Sequence, residues 1–150
     1  MQNDKLLYSD LTEIIIGSCF DVMNEIGIGF LESVYKNALF IAMKEQGLKV
    51  ETEKRFEITF RERKIGLYIA DLIVEEAVIV ELKCCESLHG EHQAQLVNYL
   101  KASGLLVGLL VNFGKRKVEY KRIHHPDYPV GPADPTYPAT RISQETLLLK

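Results

Sequence analysis

Two uninterrupted apolar runs, Leu72-Ile73-Val74 and Val78-Ile79-Val80, stand on either side of Glu75-Glu76-Ala77. Side chains alternate along a strand, so a run that is apolar on both faces needs cover on both. This predicts a central sheet with helices on its two sides. Upstream, Leu11, Ile14, Ile15, Cys19, Val22, Met23 and Ile26 recur at three- and four-residue steps, the helical period, and Ser9 or Asp10 stands where a helix cap is expected. After the Gly27-Ile28-Gly29 break, Leu31, Val34, Tyr35, Ala38, Leu39, Ala42 and Met43 repeat the pattern as far as Gly47, as two helices or one bent one. Residues 50–83 change character, with β-rich runs between charged turns that read as three antiparallel strands. A helix over Gly90–Ser103 closed by Gly104, a buried strand over 105–113 and an edge strand over 118–123 complete an α-βββ-α-β-β order.

With 150 residues, 47% of them hydrophobic, the chain can build one core but not two full-sized domains. We expect a folded domain over 1–125 and a tail over 126–150. All five prolines, Pro126, Pro129, Pro132, Pro135 and Pro138, fall at every third position of that tail, the period of a polyproline II helix. Such a strip suits an extended linker or a partner that reads proline. Residues 142–149 could dock on the domain or on a second copy, so a homodimer is left open.

Three cysteines, with Cys84 and Cys85 adjacent, lack the spacing of a zinc site and fit a reducing interior. His89 and His92 beside them are irregularly spaced for a transition metal. No basic-then-apolar leader opens the chain and no run reaches membrane length, so a soluble cytoplasmic protein is expected. The net charge of −3 gives no global signal for nucleic acid, which leaves local patches. The richest is Lys115, Arg116, Lys117, Lys121 and Arg122, followed by His124 and His125, and a second is Arg61, Arg63 and Lys64.

Alternation puts Glu81 and Lys83 on one face of their strand. If Glu75, Glu76 and Ala77 form the hairpin loop, Asp71 lies across from Glu81. Charges among apolar strands cost several kcal/mol each unless they are paired or bind a metal. One outcome is a cross-strand salt-bridge set; the other is a hard divalent cation held by the acids, with the lysine beside it.

The pattern D-x9-E-x-K, preceded by helices and followed by one, resembles the PD-(D/E)XK nuclease superfamily, with Ala70 standing where proline is customary. Gln95 and Tyr99, one helical turn apart, resemble the Q-x3-Y motif of its exonuclease-like branch. Gly29-x2-Glu32-x2-Tyr35 resembles the signature of the GxxExxY family, and that likeness runs from about residue 9 to 122. The resemblance implies a restriction-endonuclease-like core with a mixed central sheet. It implies Asp71, Glu81 and Glu32 as ligands of Mg²⁺ or Mn²⁺. Lys83 would assist the attacking water, and Gln95 and Tyr99 would position a phosphate or a nucleic-acid end. The expected activity is metal-dependent hydrolysis of phosphodiester bonds in DNA or, as second choice, RNA. The alternative is a non-catalytic module that keeps the fold and binds nucleic acid or protein.

Overall fold

A computed structural model describes residues 4–128, which form α1 (Asp4–Ile26), α2 (Glu32–Glu45), β1 (Val50–Phe60), β2 (Arg63–Val74), β3 (Val78–Lys83), α3 (Gly90–Ser103), β4 (Val107–Asn112) and β5 (Glu119–His124). The strands lie in the order β1-β2-β3-β4-β5 in one sheet. β1, β2 and β3 meander antiparallel, β4 runs parallel to β3, and β5 returns antiparallel at the edge. A parallel pair needs a crossover, and α3 supplies it.

The doubly apolar runs divide their side chains between two layers. Leu72, Val74 and Val80 pack with Leu11 and Ile15 of α1 and with Tyr35, Leu39 and Met43 of α2. Ile73 and Ile79 pack with Leu96 and Leu100 of α3 on the opposite face. Full burial of an aliphatic side chain contributes about 1.5–3 kcal/mol, so helix cover on both faces is what makes these strands stable in the sheet centre.

Two expectations shift. α1 begins at Asp4, so Ser9 and Asp10 lie inside the helix and do not cap it. Tyr8 packs edge-on against Tyr128 at 6.4 Å, a contact that gives the helix a reason to continue past the expected cap. For the same reason the core runs past position 125, with Asp127 and Tyr128 both buried. Pro129, Pro132, Pro135, Pro138 and the segment 142–149 lie outside the described residues.

Both residues linking β1 to β2, Arg61 and Glu62, have positive φ (50° and 65°), the signature of a type I′ hairpin turn. Neither residue type favours that region. Arg61→Asn with Glu62→Gly should therefore stabilise the protein by roughly 1 kcal/mol, after losing a weak stacking of Arg61 on Phe60. A urea melt checks this, and no gain or a loss would contradict the turn assignment.

Candidate active site

The site begins where two strands part. Backbone pairing of β2 with β3 stops at Leu72 and Val80. One residue further on, side chains take over: the Asp71 N–H donates to Glu81 Oε1 (3.2 Å) and the Leu82 N–H donates to Asp71 Oδ2 (3.0 Å). The cause lies in β2. Tyr68 and Ala70 pack on the α3 side, whereas Leu72 and Val74 pack on the α1/α2 side, although all four are even-numbered. Alternation therefore changes phase at Asp71. Opposite it, Glu53 is left-handed (φ 53°), and the β1–β2 register passes from Thr52↔Leu72 to Lys54↔Ala70.

Glu81 is buried and is held by two donors at the same oxygen. Besides the Asp71 N–H, the Tyr68 hydroxyl donates to Oε1. Burial first, and the negative charge of Asp71 second, push its pKa up to about 7. Tyr68 is itself buried between aromatic rings, stacked on Tyr99 at 3.6 Å and on Phe56 at 5.9 Å. Burial, then Glu81, raises the Tyr99 pKa as well, while a hydrogen bond with Gln95 acts the other way. Gln95 and Tyr99 also line a groove between α3 and β1, with Ile58, Thr59, Asn98 and Lys101 along it.

Glu32 reaches Asp71 from the other side of the sheet. The two line a cavity of about 260 Å³ with Ser33, Lys36 and Leu82. Partial burial and then Asp71 raise the Glu32 pKa, with Lys83 and Lys36 opposing. The G-x2-E-x2-Y spacing has a mechanical reason. Tyr35 is fully buried, its ring stacks on Phe113 at 4.8 Å, and its hydroxyl donates to the Gly27 carbonyl (2.7 Å) and accepts from the Phe30 N–H (3.2 Å). With Gly29 at φ 111°, this pins the loop that presents Glu32 at the start of α2. Lys36, one turn on, pairs with Glu53 at 3.2 Å and not with Glu32.

Lys83 is half-buried at the end of β3 and makes no ion pair among the described residues. The chain beyond it is tied down by Asn112. This fully buried side chain accepts from the Cys85 and Gly114 N–H groups (3.0 and 2.8 Å) and donates to the Cys85 carbonyl (2.9 Å). A Cβ on Gly114 would lie 2.4 Å from the Cys85 backbone, so only glycine permits the approach. The exposed turn with Lys115, Arg116 and Lys117 consequently sits at the same sheet end as Lys83. Lys121 and Arg122 do not extend that patch as one surface. Their strand partners are Leu110 and Leu109, which face opposite helix layers, so the two basic side chains leave β5 on opposite faces.

Sequence reasoning missed Tyr68 and Asn112. Only the phase change brings Tyr68 to the side of Glu81. The signal available for Asn112 was a polar residue closing an otherwise apolar strand.

Among the described residues, no three His, Cys, Asp or Glu side chains are drawn together closely enough to hold a metal ion. That includes the Cys84, Cys85, His89 and His92 stretch, where the Cys85 thiol donates to the Ser87 carbonyl and His92 accepts from the His89 N–H. The donor chemistry of the acid pair nevertheless suits a divalent cation. Asp71 and Glu81 each accept a backbone N–H from the facing strand, at Oδ2 and Oε1, and burial of Glu81 beside the half-buried Asp71 leaves negative charge that a hard cation would offset.

Residues 9–123 match the sequence profile of the PD-(D/E)XK nuclease superfamily. No curated protein matches the chain. Among solved structures, the crystal structure of SSO0001 aligns over 97% of this chain at 20% identity and a TM-score of 0.49. The chain spans 65% of the length of that protein.

Proposed function

This chain belongs to the PD-(D/E)XK nuclease superfamily, and from that premise we propose that it is a metal-dependent nuclease hydrolysing phosphodiester bonds, with DNA as the preferred substrate and RNA the second. The observation that carries the reading is the acid pair in the opened strands, each carboxylate accepting a backbone N–H from the facing strand. We further assign the chain to the GxxExxY family, on the Gly29, Glu32 and Tyr35 spacing and the loop that Tyr35 pins.

Asp71, Glu81 and Glu32 would hold Mg²⁺ or Mn²⁺, which when bound supplies a water of lowered pKa and positive charge for a non-bridging phosphate oxygen. Lys83, carrying no ion pair among the described residues, is available to orient the nucleophile and offset charge in the transition state. Gln95 and Tyr99 line a groove on the α3 side, separate from the cavity of Glu32 and Asp71 and joined to Glu81 through the Tyr99–Tyr68 stack, and serve to position the phosphate or the strand end. Lys115, Arg116 and Lys117 hold flanking phosphates, and Lys121 contributes from one face of β5 only, apart from Arg122 on the other. No helix among the described residues is long and apolar enough to cross a membrane, and Cys19, Cys84 and Cys85 are all free. Free thiols support a cytoplasmic setting.

Incubation with labelled single- and double-stranded DNA and RNA, in Mg²⁺, Mn²⁺ or EDTA, tests this. Cleavage is expected in both metals and none in EDTA, and product lengths separate attack at ends from internal cutting. Equal binding with EDTA and no cleavage under any condition would favour the non-catalytic binding module.

A further inference from the structure

We infer that Tyr68 is a positioning residue that sets the orientation of the Glu81 carboxylate toward a divalent cation. This rests on the proposed reading of the acids as metal ligands.

The Glu81 side chain has free torsions, and a ligand that must present one oxygen in a fixed direction needs them restrained. Two donors converge on Oε1, the Asp71 N–H and the Tyr68 hydroxyl. The first is part of the backbone and cannot adapt. The second is placed by its ring, which is buried and clamped between Phe56 of β1 and Tyr99 of α3, with interplanar angles of 19° and 10°. A clamped ring has little rotational freedom, so its hydroxyl defines a position in space. Glu81 is thereby held by β2 directly and by β1 and α3 through the clamped ring, with its carboxyl against that of Asp71, where a cation would be shared by the two acids. Outer partners of this kind fix ligand direction, and their loss costs metal affinity about 10- to 100-fold. The same stack joins Glu81 to the helix that carries Gln95. A shift of α3 would move Tyr99, then Tyr68, then the carboxylate.

The test compares wild type with Tyr68→Phe. Phenylalanine fills the same space between the two rings and removes only the hydroxyl, so the metal-free variant should melt as a folded domain. Calorimetric titration with Mn²⁺, without nucleic acid, should show affinity weakened about 10- to 100-fold. Cleavage should need correspondingly more Mn²⁺, yet kcat at saturating metal should return to within a few-fold of wild type, with the substrate KM unmoved. A role confined to packing would instead lower kcat at every metal concentration. Tyr68→Met repeats the measurement without an aromatic ring, and it should lose at least as much affinity. Unchanged Mn²⁺ affinity in both variants, while wild type binds, would overturn the role of Tyr68 and leave the metal site standing. Absence of Mn²⁺ binding by wild type would overturn both.

Discussion

Asp71→Asn is expected to lower cleavage by a thousandfold or more while the domain stays folded. The amide oxygen of asparagine can still accept from the Leu82 N–H, so the local hydrogen bond of the parted strands survives. What disappears is one negative ligand from a site that relies on several kcal/mol of metal-borne charge stabilisation, and each 1.36 kcal/mol is worth a factor of about ten in rate. Lys83→Ala should behave differently. It removes a cation that contacts none of the acids within ion-pair distance among the described residues. Metal and substrate binding should therefore persist, while the chemical step falls by about 10²- to 10⁴-fold, the range for a positioned proton-transfer group. Single-turnover rates on a labelled oligonucleotide, with binding measured in Ca²⁺, separate the two. Asp71→Asn within tenfold of wild type, or Lys83→Ala losing binding in proportion to rate, would contradict these roles.

Glu81→Gln should remove activity and raise stability in the absence of metal. The glutamine oxygen can accept from both Tyr68 and the Asp71 N–H, so the hydrogen bonds are conserved and the buried charge is not. The folded-state pKa of about 7 lies above the ordinary glutamate value of 4.5. A carboxyl group raised in this way stabilises the fold when protonated. Its contribution is fully present below about pH 4.5, declines as pH rises between 4.5 and 7, and is gone above the folded-state value. Converted at 1.36 kcal/mol per unit, the span is about 3 kcal/mol. Urea melts in EDTA should therefore show the variant more stable than wild type by about 2–3 kcal/mol at pH 8, with the gap closing by pH 4.5. A variant less stable than wild type at pH 8 would mean that the ionised carboxylate is already compensated within the protein.

Much of this architecture can be read from the chain. The doubly apolar runs at 72–74 and 78–80 require helices on both faces, and the short connection between them brings Asp71 beside Glu81. Gly104 in the left-handed region ends α3 where the apolar period stops. Alternation hides Tyr68, because a residue three positions from Asp71 should face the other side. It reaches Glu81 only because the strand changes phase opposite a left-handed Glu53, and nothing in a glutamate announces that conformation. The start of α1 escapes because Ser9 and Asp10 carry a local capping preference, whereas the contact between Tyr8 and Tyr128 is set by tertiary packing. Lys121 and Arg122 read as one basic run in sequence, and strand geometry separates them.

The most direct test of the metal-site account is a Mn²⁺ titration of nucleic-acid-free protein, comparing wild type with Glu32→Gln, Asp71→Asn and Glu81→Gln. Saturable binding by wild type, reversed by EDTA and weakened at least about tenfold in each variant, is predicted, because each removes one negative oxygen ligand from a hard cation. Wild-type affinity in all three variants, or no binding by wild type, would contradict it.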